Sequence, residues 1–216
     1  LKMTQYLHDG DAIKKGDVAF VVEGKTISIL QTERLVLNFM QRLSGIATQT
    51  HEYVKLLEGT GTKILDTRKT TPGLRLLEKY AVKVGGGENH RIGLYDMILI
   101  KDNHIDYAGG VTAAITKTKE YLKAKGKNLK IEVEARTLDE IKEILTFDVD
   151  RILIDNFTPE ETKTAVALIN GKCKTESSGG ITKESIRAYA EAGVDYISVG
   201  ALTHHISSLD LSLKAF

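Results

Sequence analysis

The sequence contains one cysteine, no tryptophan, almost no net charge and no long apolar segment. Its only cysteine, Cys173, cannot form an intramolecular disulfide. A reducing, cytoplasmic setting is therefore the default expectation. No apolar run reaches the roughly 18 residues that a membrane span needs, and no signal peptide is recognisable. The first residue is Leu1 rather than methionine, so this numbering can begin inside a longer sequence.

The overall charge argues against a polyanionic macromolecule as the binding partner. The chain has 30 basic and 29 acidic residues, a net charge of +1 at pH 7. Without a general positive field, it has no electrostatic preference for nucleic acid or a membrane surface. Its 216 residues can form one substantial core and a small second lobe. Any functional positive charge must be local, which favours a small anionic ligand.

Positive charge is concentrated between residues 66 and 103. This segment, DTRKTTPGLRLLEKYAVKVGGGENHRIGLYDMILIKDN, holds seven lysines and arginines, His90 and three consecutive glycines. Arginine forks bind carboxylates and phosphates, lysine adds a mobile charge, and glycine lets backbone N–H groups approach an anion. Arg68 and Lys69 follow the apolar run TKIL, and Lys101 follows MILI, so these charges lie at predicted strand ends. The segment predicts a pocket for a ligand with several negative charges rather than a solvated basic surface.

The spacing of apolar residues predicts two structural regimes. Residues 1–32 alternate short apolar runs, such as AFVV and TISIL, with turn signals, which indicates an antiparallel hairpin lobe. From Glu33 to Gly59 the apolar residues follow helical spacing, with Gly45 as a weak point. Helices then alternate with six strand-like runs: TKIL, MILI, KIEVE, RILID, KCKTES and YISVG. Strands that alternate with helices form a parallel sheet.

Three threonines and two prolines mark predicted helix starts: Thr137, Thr158, Thr182, Pro72 and Pro159. Glutamate follows each of the first two threonines by three residues, as in a capping box. Each proline is expected at a first helical position, where its missing N–H costs nothing. The threonines are 21 and 24 residues apart, the repeat of a compact βα unit. Because this region is shorter than the roughly 250 residues of a full barrel, we predict an α/β fold with an incomplete TIM-like β/α barrel of six or seven strands.

Polar residues or glycines follow every predicted barrel strand. In chain order they are Arg68 and Lys69, Lys101, Glu134, Asp155, Ser178 and Gly179, and Gly200. Parallel strands bring these ends to one rim, where α/β barrels place their active sites. Each residue alone has an ordinary explanation, such as a turn for Asp155 or a surface ion pair for Glu134. Together they indicate a site, and the loops ESSGGIT and SVGALTH fit phosphate binding after late strands.

These residues resemble those of one known family. The segment from Asp66 to His104, with ERLVLNFMQRLSGIAT, EVE, ILIDNF, ESSGGIT and GVDYISVGALTH, is similar to quinolinate phosphoribosyltransferases, the carboxylating nicotinate-nucleotide pyrophosphorylases. The similarity runs in order from Glu33 to Leu211. The lobe before it resembles the family's N-terminal domain, an α/β sandwich that is truncated in this numbering.

The resemblance implies a reaction and its partners. The phosphoribosyl group of phosphoribosyl pyrophosphate is transferred to quinolinate, giving nicotinate mononucleotide, pyrophosphate and carbon dioxide in de novo NAD biosynthesis. Mg²⁺ is the implied cofactor, and no organic cofactor is expected. The implied assembly is a cytoplasmic homodimer, with a hexamer left open, and neither nucleic acid nor a membrane is an expected partner.

The resemblance also implies which residues bind the substrates. Arg68, His90, Arg91 and Lys101 match the groups that hold the quinolinate carboxylates. Lys69 matches a group that reaches toward these carboxylates and the phosphoribosyl moiety. Lys69 and Lys101 are therefore expected among the catalytic residues.

Further positions match the ribose, the metal and the partner subunit. Glu134 and Asp155 match carboxylates that lie near the ribose hydroxyls and Mg²⁺. They are expected to hold the Mg²⁺ ion directly or through water. Both are also expected to be catalytic. Arg34 matches an arginine that crosses a dimer interface. The 5′-phosphate loops match at Ser178, Gly179, Gly200 and His204.

Other functions fit the residues less well. A nicotinate phosphoribosyltransferase would need fewer cations, because its substrate carries one carboxylate, and a molybdenum-locus homologue would share TRKT and HR but fits KDNHI and LIDNF less well. A Schiff-base aldolase using Lys101 would need a lowered lysine pKa, which Asp102 and neighbouring carboxylates oppose. A biotinyl or lipoyl carrier modified at Lys2 would need a complete carrier domain around it.

Four segments are expected along the chain. Residues 1–32 are the remnant of the N-terminal sandwich domain, and residues 33–60 are a linking helix. Residues 61–202 form the catalytic barrel. Residues 203–216 form a C-terminal segment that returns to the N-terminal lobe.

Overall fold

A computed structural model of the chain describes residues 1–215 and shows two short strands, a long helix and a series of alternating strands and helices. The strands are β1 (Lys2–Gln5), β2 (Phe20–Glu23), β3 (Lys63–Leu65), β4 (Ile98–Ile100), β5 (Ile131–Ala135), β6 (Arg151–Asp155), β7 (Lys174–Ser178) and β8 (Tyr196–Ser198). The helices are α1 (Thr26–Leu56), α2 (Arg75–Val84), α3 (Asp102–Ala108), α4 (Val111–Ala124), α5 (Leu138–Ile144), α6 (Pro159–Ile169), α7 (Ile186–Glu191) and α8 (Ala201–His204). All six predicted barrel strands are confirmed.

The six later strands form one parallel sheet in the order β3-β8-β7-β6-β5-β4. Its edges are β3 and β4, which are not hydrogen-bonded to each other. A single parallel bridge between Leu65 and Glu88 extends the β3 edge. The fold is therefore an incomplete TIM-like barrel, as predicted, with a seam between β3 and β4. The separate pair β1 and β2 is antiparallel and forms the small N-terminal sheet.

In β5 and β6 one face is apolar and the other carries charged residues. In β6, Ile152 and Ile154 are buried in the core that the surrounding helices share. Their neighbours Arg151 and Asp155 point to the opposite face, because successive strand residues alternate in direction. The register places Glu132 of β5 beside Arg151, and the same alternation places charged residues of β5 and β7 in the barrel interior.

Two of the predicted helix starts are confirmed. Thr158 and Glu161 form a capping box at α6, with Pro159 at its first position. Thr137 is the N-cap of α5, and its side chain accepts a hydrogen bond from the backbone N–H of Glu140. Capping by these hydroxyls satisfies N–H groups that have no partner within the helix.

The predicted helix starts at Pro72 and Thr182 are wrong. At the first, the backbone N–H of Leu74 donates to Thr71 O, so this stretch forms a turn and α2 begins only at Arg75. At the second, the backbone N–H of Thr182 donates to Ser185 Oγ at 3.0 Å, and α7 begins directly after Ser185. In both cases the sequence signal marks a turn that precedes the helix.

The predicted strand at TISIL is also wrong, because these residues form the start of α1. This helix begins at Thr26 rather than Glu33, directly after a turn in which Gly24 has a φ of +153°. A short apolar run does not by itself distinguish a strand from a buried helix turn.

Gly45 is a point of close packing rather than a break in α1. A Cβ atom at Gly45 would lie 2.3 Å from Ser207 O, so the C-terminal segment can cross the helix only at a glycine. Leu209 N donates to Gln41 O, and Gln41 Nε2 donates to Leu211 O. The segment after α8 thus runs along α1; residue 216 lies outside the described residues, and the four-segment division stays a prediction. Within residues 1–215, no helix combines the length and apolar character needed to cross a membrane.

Candidate active site

The ends of β4, β5 and β6 bring three of the predicted site residues together. Lys101 Nζ lies 3.3 Å from Glu134 Oε2. Glu134 is buried, whereas the Lys101 side chain is 45% exposed and accessible to a ligand. Burial raises the pKa of Asp155, the nearby Glu134 carboxylate raises it further, and Lys101 opposes this rise. Two carboxylates and a lysine therefore share the rim, a set that can contact ribose hydroxyls and a divalent cation.

The loops after β6 and β7 are locked together by Asn156. Its backbone N–H donates to Ser178 O at 2.9 Å, and its Nδ2 donates to Asp155 Oδ2 at 2.6 Å. Gly179 has a φ of +105°, and a Cβ atom there would lie 2.2 Å from Asn156 Oδ1. Only glycine fits this position. Sequence analysis did not assign a role to Asn156, although its left-handed backbone, with φ of 58°, is a conformation that asparagine tolerates.

The loop after β8 brings Gly200, His204 and Lys69 together. A Cβ atom at Gly200 would lie 2.8 Å from His204 Nε2 and 3.1 Å from Lys69 Cδ. Thr203 Oγ1 donates to Lys69 O at 2.9 Å and joins this loop to the end of β3. Burial, followed by the neighbouring His205 and Lys69 charges, lowers the pKa of His204. The predicted phosphate loop after β8 is thus adjacent to the predicted catalytic Lys69.

Arg68 and Arg91 both lie at the seam, near enough for the charge of one to act on the other. Burial lowers the pKa of Arg91, and the charge of Arg68 lowers it further. Arg75 fixes the backbone beneath them: its Nη2 donates to Arg68 O at 3.3 Å and its Nη1 donates to Ile92 O at 3.0 Å. Two guanidinium groups whose charges repel each other can bind a shared anion, because a bound carboxylate offsets that repulsion.

His90 lies beneath the rim rather than on it. Its ring is 9% exposed, with Nε2 3.0 Å from Glu132 Oε2 and 3.5 Å from Glu176 Oε2. Its Nδ1 accepts a hydrogen bond from the backbone N–H of Arg91 at 2.8 Å. Both ring nitrogens therefore face protein groups, and the structure does not place either one beside the rim lysine Lys101.

A buried ion pair between Asp66 and Lys79 supports the seam. Asp66 is fully buried at the end of β3, and its Oδ1 also accepts from the backbone N–H of His90 at 2.9 Å. Lys79 Nζ donates to His90 O at 2.9 Å, and Asn89 Nδ2 donates to Asp66 Oδ2 at 2.6 Å. Burial raises the pKa of Asp66 and lowers that of Lys79, and the contact between them opposes both shifts. The pair fixes the backbone of His90 at both its N–H and its C=O.

A second buried carboxylate, Glu78, holds the loop that follows β3. Its Oε2 accepts from the backbone N–H of Thr71 at 3.0 Å, and its Oε1 accepts from Arg42 Nε at 2.8 Å. Arg42 Nη2 also donates to Thr71 Oγ1 and to Thr203 O. Sequence analysis missed Glu78 and Lys79; the available signal was their helical spacing with Val82 on the buried face of α2.

Arg34 is not brought to the rim within its own chain. It is exposed on α1 and, among residues 1–215, forms no hydrogen bond or ion pair. Ile27, Leu30 and Leu35 on the same part of the helix are also 62 to 66% exposed. This surface is apolar and carries one free arginine.

The pKa of Glu176 predicts a pH-dependent stability. Burial, followed by repulsion from Glu132, raises it from 4.5 to about 7. Between these two pKa values Glu176 is protonated more fully in the folded protein than in the unfolded chain. The free energy of unfolding therefore falls as the pH rises from about 4.5 to about 7. We expect the Tm of Glu176→Gln, relative to wild type, to increase from about pH 5 to about pH 8. Thermal unfolding at both pH values tests this; Glu191→Gln, at an exposed carboxylate, is the control, and an unchanged difference would contradict the shift.

Comparison with known proteins extends over nearly the whole chain. Residues 1–44 match the N-terminal domain of quinolinate phosphoribosyl transferase, and residues 46–214 match its C-terminal domain. A probable nicotinate-nucleotide pyrophosphorylase (carboxylating) of Bacillus subtilis is 49% identical over 205 residues, which cover 95% of this chain and 70% of that protein. A mitochondrial quinolinate phosphoribosyltransferase (decarboxylating) of Nicotiana tabacum is 45% identical, covering 99% of this chain and 65% of the relative. The chain thus spans about two thirds of the length of these relatives.

Solved structures show the same similarity. The nicotinate-nucleotide pyrophosphorylase of Francisella tularensis superposes with a TM-score of 0.92 at 47% identity, covering 98% of this chain and 74% of that one. NadC of Streptococcus pyogenes superposes with a TM-score of 0.93 at 42% identity, covering 99% of this chain and 75% of that one. The chain belongs to the quinolinate phosphoribosyltransferase family.

Proposed function

We propose that this protein transfers the phosphoribosyl group of phosphoribosyl pyrophosphate to quinolinate and releases pyrophosphate and carbon dioxide, forming nicotinate mononucleotide for NAD biosynthesis. The observation that carries the proposal is the rim where Lys101 contacts Glu134 near Asp155, together with the cations Arg68 and Arg91 at the seam. Two substrates with two carboxylates, a 5′-phosphate and a pyrophosphate need this density of cations. The names of the relatives agree with this activity.

Quinolinate, the acceptor in this reaction, is bound by cations at the seam and at its edge strands β3 and β4. Arg68 and Arg91 each present a planar fork to a carboxylate, and Lys101 supplies a mobile charge to the second carboxylate. His90 supports this pocket from beneath, and its assignment as a direct ligand of quinolinate stays a prediction. Lys69 lies beside Gly200 of the β8 loop, which supports a role in contacting the phosphoribosyl moiety as well as the acceptor.

The 5′-phosphate is bound by the loops after β7 and β8. Gly179 and Gly200 let backbone N–H groups approach the phosphate, since a side chain at either position would collide with Asn156 or His204. Ser178 and His204 add hydrogen-bonding side chains at the same place.

Glu134 and Asp155 fit both the ribose and Mg²⁺. Carboxylate oxygens are the ligands that Mg²⁺ prefers, and these two lie on adjacent strands with one buried and one half-buried. Mg²⁺, when bound there directly or through water, would neutralise the departing pyrophosphate. The same carboxylates can accept hydrogen bonds from ribose hydroxyls and stabilise the positive charge that builds on the ribose as pyrophosphate leaves.

The chemistry after transfer needs little from the protein. The pyridine nitrogen bonds to the anomeric carbon, which makes the ring cationic. The adjacent carboxylate then leaves as carbon dioxide, its bonding electrons remain on the ring carbon, and a solvent proton replaces it. Positioning by Arg68, Arg91 and Lys101 is therefore the main contribution of these residues.

A homodimer is the proposed assembly, with Arg34 of each subunit reaching the other subunit's rim. The exposed apolar side chains Ile27, Leu30 and Leu35 around it have the character of an interface core. A hexamer remains open. The cytoplasm is the proposed location, because a chain with one cysteine has no structural need for an oxidising compartment.

An assay of the purified protein with two acids tests the function. With phosphoribosyl pyrophosphate and Mg²⁺, quinolinate is expected to give nicotinate mononucleotide and pyrophosphate, and nicotinate is not. Nicotinate lacks one carboxylate and leaves a cation of the pocket unpaired, a loss of about 2 to 5 kcal/mol, or at least about thirtyfold in affinity. Comparable turnover of both acids would contradict the assignment.

Glu134→Ala and Asp155→Ala should each separate catalysis from acceptor binding. We expect kcat to fall by about 10² to 10³, because these carboxylates act on charge that develops in the transition state. Calorimetry should show quinolinate affinity close to that of wild type. Glu160→Ala, an exposed carboxylate after the β6 loop, is the control with unchanged kcat. Loss of quinolinate binding in both rim variants would reject these roles.

A further inference from the structure

Beneath the rim, four ionisable side chains meet inside the barrel, and only one of them, His90, has an assigned part in the proposed function. This interior cluster consists of His90, Glu132, Arg151 and Glu176. Glu132 and Glu176 are fully buried. Arg151 Nη1 lies 2.6 Å from Glu176 Oε2 and 3.9 Å from Glu132 Oε2, and its guanidinium stacks on the ring of Tyr196 at 4.2 Å. A buried charge without compensation is costly, so the cluster must satisfy its own carboxylates.

The cluster has the residue types of a metal site but not the electrostatics of one. His90, Glu132 and Glu176 offer ligand atoms within 4.8 Å of one another. However, His90 Nδ1 accepts a hydrogen bond from the backbone N–H of Arg91, so in the neutral ring the proton is on Nε2, which then has no lone pair for a cation. Arg151 also already places a positive charge against Glu176. Both observations favour a protonated Nε2 that lies within 3.5 Å of both carboxylates, without a hydrogen bond of good geometry to Glu132.

Glu132 lies closer to His90 than to the cation of the cluster. Within residues 1–215 neither of its oxygens forms a hydrogen bond of good geometry, and its Oε2 lies 3.0 Å from His90 Nε2 and 3.9 Å from Arg151 Nη1. Glu176 Oε2 lies 3.5 Å from the same nitrogen. The two carboxylates therefore approach the His90 ring from β5 and β7 and restrict its orientation.

The orientation of the His90 ring is transmitted to Arg91. The ring's other nitrogen holds the Arg91 backbone N–H at 2.8 Å, and Arg91 Nη1 reaches Met97 O at 3.4 Å, which aims the guanidinium beside Arg68. We propose that Glu132 and Glu176 are positioning residues of the acceptor pocket: from inside the barrel they fix the His90 ring, which fixes Arg91. This inference rests on the proposed function, because it names the acceptor as the substrate that Arg91 binds.

Glu132→Gln and Glu176→Gln keep the shape of each side chain and remove its charge. Around metal sites, loss of an outer partner of a ligand typically costs 10- to 100-fold. We expect a loss at the low end of that range here, with the KM for quinolinate rising about tenfold. The KM for phosphoribosyl pyrophosphate should change less than about twofold, because its proposed ligands do not depend on His90. Thr162→Val is the matched control: Thr162 is equally buried, with an unpaired hydroxyl, on the outer helix α6. It should leave both KM values unchanged.

Nitrogen NMR of the histidine rings provides a readout that does not need activity. The His90 ring, assigned by its loss in His90→Gln, should be in the Nε2–H form in wild type, and its shifts should change in both Gln variants but not in Thr162→Val. A wild-type ring protonated on Nδ1 would overturn the proposal even if no variant folds. Equal changes in both KM values, with the His90 ring shifts unchanged in the Gln variants, would overturn the proposal in favour of a merely structural role.

Calorimetric titration of the protein with Zn²⁺ and with Mn²⁺ tests the alternative of a metal site. If either ion binds stoichiometrically and Glu132→Gln abolishes that binding, the cluster is a metal site and the positioning role is overturned. If wild type does not use quinolinate, the proposed function fails while the ring measurement still decides the His90 contact.

Discussion

Arg34→Ala and Lys101→Ala are each expected to be nearly inactive alone, and a mixture of the two chains is expected to regain about a quarter of wild-type activity. Lys101 lies on the rim, whereas Arg34 lies on the outer face of α1 and has no polar partner among the residues described. If Arg34 completes the partner's rim, a mixed dimer has one site with both residues intact. Random pairing makes about half of the dimers mixed, and each has one working site of two. Co-expression with different tags, followed by an assay of the unfractionated mixture, measures this recovery, and the tandem-purified mixed dimer alone should reach about half of wild-type activity.

Two controls make the complementation specific. A mixture of Arg34→Ala with the double variant Arg34→Ala, Lys101→Ala has no site with an intact Arg34 and should stay inactive. Asn38→Ala, exposed one turn further along α1, should be active alone. If tagged mixed dimers form and activity stays at background, then Arg34 acts within its own subunit or has no role in the site.

Lys79→Met is expected to lower the free energy of unfolding by about 3 to 5 kcal/mol. The substitution leaves Asp66 buried without its cation, and removing one partner of a buried pair costs more than the pair itself contributes. It also removes the hydrogen bond from Nζ to His90 O, so the seam backbone should loosen. Urea unfolding, monitored by circular dichroism, measures the loss.

A matched pair of variants isolates the uncompensated charge. Lys83→Met, exposed on the same helix, should change stability by no more than about 0.5 kcal/mol. The double variant Asp66→Asn, Lys79→Met should recover part of the loss, because the neutral amide no longer needs a cation. A Lys79→Met protein that loses less than about 1 kcal/mol would mean that water or another group compensates Asp66.

Local patterns predicted the elements that depend on local chemistry. The six barrel strands follow from short apolar runs between helical segments, and the caps at Thr137 and Thr158 follow from hydroxyl and carboxylate spacing. The meeting of Lys101, Glu134 and Asp155 could also be predicted, because parallel strands bring their carboxyl ends to one rim. These features require only the strand order, not the packing.

Features that depend on packing across the barrel were missed. Glu132 lies two residues before Glu134 in β5 and so on the same face, a direction that could be predicted. Its neighbours His90 and Glu176, however, come from distant segments. Lys79 was predicted, as part of the basic segment, to contribute positive charge to the pocket. Its ammonium group instead forms an ion pair with Asp66. Spacing along a helix shows that a charged residue faces inward and does not show which carboxylate it meets.

The seam between β3 and β4 separates two kinds of recognition. Arg68, Arg91 and Lys101, the proposed acceptor ligands, belong to the seam or to its two edge strands, which have a hydrogen-bonded strand on one side only. The proposed ribose and phosphate ligands follow strands β5 to β8, each paired on both sides. Mutations or insertions in the seam can therefore change which carboxylic acid binds as the acceptor, while the hydrogen-bonded strands β5 to β8 still position the ligands of the sugar phosphate. A protein built this way can evolve a new acceptor while retaining the same donor chemistry.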